Sequence, residues 1–379
     1  MKLFDVYPLY DITPVKASGS RLWDAQGKEY LDLYGGHAVI SIGHSHPHYV
    51  QRITEQLNQI GFYSNAVKMP LQEELAYKLG ELSGYTDYAL FLSNSGAEAN
   101  ENALKVASFY NGRKKVLVLK NSFHGRTSLA VAATDNPKIV APVNEAEFIQ
   151  FIPINDEQAL SEAMDETVCA VMLEGIQGVG GIHVPSVSYL QKVRSLCDQF
   201  GSVMILDEVQ SGYGRSGYFF AHQYAEVKPD IITVAKGMGN GFPVAGTLLS
   251  PKFEAKHGML GTTFGGNYLA SAAAIAVLEV IKEENLIQHS AELGAYTIEQ
   301  LKGISGITEV RGMGLMIGIS LPYSSAAVRK NLLMEHGIFT GSASDPNTLR
   351  LLPALNVSKA DIDTFLDALK SEVMKGQAS

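Results

Sequence analysis

The stretch from Ser202 to Gly241, SVMILDEVQSGYGRSGYFFAHQYAEVKPDIITVAKGMGNG, constrains this chain more than any other. It contains two short apolar runs, Val203–Leu206 and Ile231–Val234, both rich in β-branched side chains. Runs of that length, bounded by Gly, Pro and Asp, read as strands buried on both faces, the pattern of a parallel sheet. The first run ends in Asp207 and the second leads into Lys236 and Gly237. In open α/β sheets the carboxyl ends of strands point into the ligand crevice. An acid and an amine delivered to one crevice can act on one ligand.

The neighbouring segments extend the sheet. Ala89–Leu92, Lys115–Leu119 and Cys169–Leu173 read as further strands, and Leu71–Ser83 and Val187–Phe200 as helices. Alternation of this kind between about residues 85 and 250 specifies a doubly wound α/β sheet. Residues 61–270 are therefore expected to form a large domain. Residues 271–379 read as two helices, short strands near Glu309–Arg311, Met316–Ile319 and Thr348–Leu352, and a closing helix from Lys359. With residues 1–60, where Asp24–Lys28 turns a hairpin before a helix at Tyr49–Ile60, they are expected to make a smaller α+β domain.

Composition narrows the function. A net charge of −9 argues against a nucleic-acid footprint. Two cysteines without metal spacing exclude a disulfide framework and point to a reducing compartment. Asp5, Pro8 and Asp11 interrupt the N-terminus where a signal peptide needs an apolar core, and Ala270–Ile281 is too short to span a bilayer. A cytoplasmic protein is expected.

Several motifs invite competing readings. Ser95–Glu98 matches a capping box, and the small residues Gly96 and Ala97 leave amides open to a phosphate; an ordinary capped helix gives the same pattern. Phe123, His124 and Arg126 follow a strand at the crevice edge, as stacking and binding groups or as a loop anchor. His44, His46 and His48 alternate around Pro47 with no carboxylate or cysteine at ligand spacing, and read as a structured turn. GYGRSG is a literal GxGxxG, but it is separated from Asp207 and no second acid follows at dinucleotide spacing. VMILDE resembles the acidic strand of a P-loop ATPase, yet GxxxxGK[ST] is missing.

An Asp and a Lys at neighbouring strand ends suit pyridoxal phosphate. A lysine can bond the cofactor's aldehyde, and a carboxylate facing the pyridine nitrogen keeps it protonated. Lys236 and Asp207 supply these parts, Ser95–Ala97 a phosphate cradle, and Phe123 a face for the ring.

As an ordered set, LWDAQGKEYLD, GHSHP, NSGAEANENALK, FHGRT, ILDEVQSGYGRSG, AKGMGNGFPVAG, TTFGGN and LRLLPALN resemble the class III (ω-amino) pyridoxal-phosphate aminotransferases of fold type I. The likeness covers nearly the whole chain and is greatest to the acetylornithine/succinylornithine aminotransferases. It implies that Lys236 bonds the cofactor and then carries the proton between substrate carbon and cofactor. It also implies that Asp207 pairs with the ring nitrogen, Val209 packs under the ring, Phe123 stacks above it, and Gln210 reaches the phenolic oxygen. Ser95, Gly96 and Ala97 would bind phosphate, joined by Thr263 from a neighbouring subunit, so a homodimer is expected. Arg350 would clamp the α-carboxylate of glutamate. Arg126 would hold its distal carboxylate or the α-carboxylate of an N-acylornithine. The implied reaction moves the δ-amine of N-acetyl- or N-succinylornithine to 2-oxoglutarate in arginine metabolism. Ornithine, γ-aminobutyrate or lysine aminotransferases, and an aminomutase, are the alternatives.

Two departures stand out. The family pattern EPIQGEGG reads here Glu174–Gly175–Ile176–Gln177–Gly178–Val179–Gly180–Gly181. Gly175 replaces a proline. Val179 replaces a glutamate that in relatives pairs with Arg350 when the ω-amine substrate is bound. The expected result is a more cationic pocket, suited to a substrate with an extra carboxylate.

Overall fold

The computed structural model describes residues 1–377. Strands β1 (Pro14–Ser18), β2 (Arg21–Asp24) and β3 (Glu29–Asp32) form an antiparallel set closed by the predicted hairpin turn. Asp24 fixes that turn, its Oδ1 accepting the N–H groups of Gln26 and Lys28 at 3.0 and 2.9 Å.

The central sheet follows: β4 (Ala89–Ser93), β5 (Lys115–Leu119), β6 (Ile149–Ile152), β7 (Val168–Glu174), β8 (Val203–Asp207), β9 (Ile231–Val234) and β10 (Ala245–Leu249). Their order is β4-β10-β9-β8-β7-β5-β6. The five strands from β9 to β6 run parallel, and β10 lies antiparallel between β4 and β9. Every residue of β7, β8 and β9 is buried, which is why these segments are continuously apolar. Helices cross over between parallel strands. One of them, Val187–Phe200, starts where Ser186 accepts the Tyr189 N–H and ends at Gly201, whose φ of +64° suits a left-handed cap.

Beyond the central sheet, β11 (Glu309–Met313), β12 (Met316–Ser320), β13 (Ile338–Phe339), β14 (Gly341–Ser342) and β15 (Thr348–Leu351) build the remaining layers. One four-stranded sheet has the order β11-β12-β15-β14. In the other, β13 pairs in parallel with β3, so an N-terminal and a C-terminal segment share a sheet. Leu349 and Leu351 anchor β15 in the core and leave Arg350 on its other face.

The apolar stretch Ala270–Ile281 lies in a helix, Tyr268–Glu283, that packs on helices Pro47–Gln59 and Pro70–Ser83. Among the described residues no helix is long and apolar enough to cross a membrane. The three histidines of GHSHPH do not converge. His44 meets Asp32 at 2.8 Å, His46 meets Glu284 at 2.8 Å and His48 meets Glu279 at 2.7 Å.

Candidate active site

A cavity of about 290 Å³ opens at the carboxyl ends of β7, β8 and β9. Lys236 and Asp207 face it together with Ser95, Gly96, Ala97, Phe123, Val209 and Gln210. The topology achieves this because parallel strands deliver all their carboxyl ends to one edge.

Asp207 is 4% exposed and fully bonded. Its Oδ2 accepts from His124 Nδ1 at 2.7 Å and from Asn100 Nδ2 at 2.8 Å, and its Oδ1 accepts the Val209 N–H at 3.0 Å. Asn100 is itself held: Nδ2 also donates to the His124 carbonyl at 2.7 Å, and Oδ1 accepts from Thr233 Oγ1 at 2.6 Å. The carboxylate is thus fixed from the helix Gly96–Asn111 and the loop after β5, with Thr233 of β9 holding Asn100 from behind.

Lys236 is half-buried, and its side-chain amine has no ion pair or hydrogen bond among the described residues. Its φ of +46° lies in the left-handed region, which costs a non-glycine residue about 1–2 kcal/mol and is a frequent mark of a functional position. Burial pulls its pKa down; Asp207 and Glu174 oppose this, while Arg350 and Arg215 add to it. The amine is therefore more available in its neutral, nucleophilic form than a surface lysine's.

Glu174, at the end of β7, is also buried. It accepts the N–H groups of Phe123 at 3.0 Å and Gly178 at 2.8 Å, tying two cavity loops together. Burial pushes its pKa up to about 7, against the pull of His124 and with the help of Asp207.

The helix Gly96–Asn111 begins at the cavity. Ser95 Oγ accepts the Glu98 N–H at 3.2 Å, as a capping box requires. Glu98 closes the box one residue earlier than expected, bonding the N–H of Asn94 rather than that of Ser95. The amides of Gly96 and Ala97 keep no partner among the described residues. A Cβ at Gly96 would lie 2.7 Å from Val209 Cγ1, so the glycine is what lets Val209 rest over the helix start.

The family model for class-III aminotransferases matches residues 6–373. The chain belongs to that family. It is 41% identical to an acetylornithine aminotransferase of Bacillus cereus over 98% of this chain and 97% of that protein. A second acetylornithine aminotransferase, from Methanocaldococcus jannaschii, is 41% identical over 96% and 94% of the two chains. Among solved structures, the ornithine aminotransferase of Toxoplasma gondii superimposes with a TM-score of 0.91 at 28% identity, covering 98% of this chain and 92% of that one. The acetylornithine aminotransferase of Elizabethkingia anophelis gives 0.86 at 30% identity, covering 97% and 95%.

Class-III aminotransferases use pyridoxal phosphate, and the cavity fits it. An unpaired lysine, helix amides without partners, a glycine cradle and a bonded carboxylate are the features such a group needs. The buried His124 Nε2 has no hydrogen-bond partner among the described residues, as in a site built to be completed by a ligand.

Not every residue singled out in the sequence reaches the cavity. Arg126 and Thr263 are exposed and lie off its lining. Arg350 is 3% exposed and is reached through Gln210. Its Nη1 donates to Gln210 Oε1 at 3.3 Å, its Nε donates to the Ser342 carbonyl at 2.5 Å, and its guanidinium sits 6.0 Å from the Tyr34 ring centre. No carboxylate forms an ion pair with it among the described residues. Gln210 Nε2 donates to the His37 carbonyl at 3.1 Å, so both ends of this amide are engaged.

At the two departures, Gly175 lies against the carboxylate of Glu208, where any side chain, a proline ring included, would collide. Glu208 is held there by His222 Nδ1 at 2.7 Å and Ser211 Oγ at 2.6 Å. Val179 lines the cavity, its carbonyl accepting the Ser344 N–H at 2.8 Å.

Asn100, Thr233, Tyr34 and His37 escaped the sequence reading. A buried Asn in a helix and a Thr in an apolar strand carry no local mark of the carboxylate they support.

Proposed function

We propose that this aminotransferase moves the δ-amino group of an N-acylornithine, acetylated or succinylated, to 2-oxoglutarate, as a cytoplasmic homodimer serving arginine metabolism. The observation that carries the reading is the unpaired Lys236 amine beside Asp207, in a chain that resembles acetylornithine aminotransferases over nearly its whole length. In the dimer, Thr263 would reach the phosphate site of the neighbouring subunit, as the family resemblance implies. Residues 61–270 would form the cofactor domain, and residues 1–60 with 271–379 the smaller one.

Bound in the cavity, pyridoxal phosphate supplies an aldehyde for the amine and a ring that stores the electron pair left when a C–H bond breaks. Lys236 Nζ, its pKa lowered by burial, would bond the aldehyde in the resting enzyme and later move the proton at the substrate carbon. Asp207 would hold a proton on the ring nitrogen, oriented by His124 and Asn100. Phe123 and Val209 would cover the two ring faces, and the amides of Gly96 and Ala97 with Ser95 and Thr263 would take the phosphate. Gln210 would stand beside the phenolic oxygen. Arg350 would clamp the α-carboxylate of glutamate, and Arg126 the second carboxylate or that of the acylornithine.

The test is a spectral titration of cofactor-loaded enzyme with N-acetylornithine and N-succinylornithine, read as conversion of the cofactor to its aminated form. The expected result is conversion by at least one of them, reversed by 2-oxoglutarate and lost in Lys236→Ala. Conversion by ornithine or γ-aminobutyrate alone would move the substrate assignment to those amines. Turnover that needs no 2-oxoglutarate would make the protein an aminomutase.

A further inference from the structure

The GYGRSG loop that mimics a dinucleotide fingerprint has a different position in the fold. It leaves the cavity strand β8 a few residues after Asp207 and Gln210 and runs to the sheet that carries Arg350. Arg215, at its centre, is 2% exposed. Its Nη1 donates to the carbonyls of Leu315 at 3.2 Å and Pro353 at 2.7 Å. Its own carbonyl accepts the Leu315 N–H at 2.8 Å and Ser290 Oγ at 2.8 Å. Leu315 leads directly into β12, whose Gly318 is paired with Arg350, and Pro353 follows Arg350 on the same strand end.

We propose that Arg215 is a positioning residue for recognition of the substrate carboxylate: it fastens the sheet bearing Arg350 to the edge of the cavity bearing Asp207 and Lys236.

Close packing of the loop supports this. A Cβ at Gly314 would lie 2.5 Å from the Arg215 carbonyl, and one at Gly217 would lie 2.9 Å from Ala291. The two backbones are therefore in direct contact with no side chain between them. Tyr213 of the same loop rests on Gly237, the neighbour of Lys236, at 3.4 Å from where a Cβ would stand. The loop thus touches both halves of the site. A buried guanidinium whose hydrogen-bond partners among the described residues are carbonyls is a costly fastening, because the ion gives up water without gaining a paired carboxylate there. Burial accordingly lowers its pKa to about 10, with distant Asp32 opposing. The same charge acts on Lys236, which is also faced by Arg350, Asp207 and Glu174 and lies near His37. Arg215 and Arg350 favour the neutral amine; the two carboxylates oppose them.

The inference rests on the aminotransferase reading with a dicarboxylate acceptor, and three variants of the cofactor-loaded protein test it. Arg215→Met removes both the fastening and the charge. It is expected to raise KM for 2-oxoglutarate about tenfold or more with cofactor affinity nearly unchanged, and to shift the pH midpoint of the lysine-bound cofactor's absorption upward. Arg215→Lys keeps the charge without the fork, so the midpoint should return to the wild-type value while KM stays raised. Ser290→Ala loosens the fastening from the other side and should raise KM less, about threefold, with no change in midpoint. If Arg215→Met does not fold, the other two variants decide. Folded Arg215→Lys and Ser290→Ala proteins with wild-type KM would overturn the proposal. A wild-type enzyme that accepts no dicarboxylate would instead overturn the reading beneath it.

Discussion

Asn100→Ala removes an amide that is 1% exposed and whose bonds are all committed around Asp207. The bond from Nδ2 to the Asp207 carboxylate, at 2.8 Å, is of the kind worth about 1.5–3 kcal/mol. Truncation also strands the His124 carbonyl and the Thr233 hydroxyl, each at a cost of about 1–3 kcal/mol unless water enters. With partial relief by water, the net loss is about 4 kcal/mol. Unfolding entropy of about 2.1 cal/mol/K per residue gives roughly 0.8 kcal/mol/K for 379 residues, so the melting temperature should fall by about 5 °C. Calorimetry at fixed cofactor saturation reads this directly, since bound ligand shifts the melting temperature by itself. Cofactor affinity should weaken about tenfold as Asp207 loses one of its two Oδ2 donors. Thr233→Val is the control: it strands only Asn100 Oδ1 and should cost about 1–2 kcal/mol. The double variant should cost less than the sum, because the valine leaves no hydroxyl to strand. A melting temperature and affinity equal to wild type in Asn100→Ala, or strict additivity in the double variant, would refute the reasoning.

Glu174 yields a pH prediction. Its carboxyl is raised from 4.5 to about 7, so its contribution to stability is fully present below about pH 4.5 and is lost as pH rises through 7. The wild type should lose on the order of 3 kcal/mol across that window, and Glu174→Gln should remove this slope; equal slopes in urea titrations of the two proteins would contradict it. Gly96→Ala brings a Cβ within 2.7 Å of Val209 Cγ1. It should weaken cofactor binding about tenfold while leaving the melting temperature nearly unchanged, since alanine suits a helix better than glycine; unaltered binding would count against the cradle. Val179→Glu places an acid on the cavity wall and should lower activity on N-succinylornithine relative to N-acetylornithine, and an unmoved ratio would dismiss that idea.

Much of the architecture was legible in the sequence. Val203–Asp207 and Ile231–Val234 announce themselves because a strand buried on both faces has to be apolar throughout. The strands β6 and β10 do not. Ala245–Leu249 is a strand because it pairs with β4 on one side and β9 on the other, and AGTLL on its own carries no period. Ser95 and Gly96 were readable as a helix start, whereas the packing of Val209 onto that glycine joins residues far apart in the chain.

The sequence by itself determined which chemical groups stand at the strand ends: a lysine, an aspartate and a helix with open amides at one edge of a sheet. That much follows from local rules, since strand boundaries and caps are set by neighbouring residues. Tertiary structure decided the state of those groups. Lys236 is depressed and Glu174 raised because burial withdraws water from them, and Asp207 is oriented because His124 and Asn100 arrive from other elements. Arg350 is placed by β12 and by a loop more than 100 residues away in the chain. Desolvation and charge–charge distance depend on three-dimensional neighbours, and no local pattern encodes them.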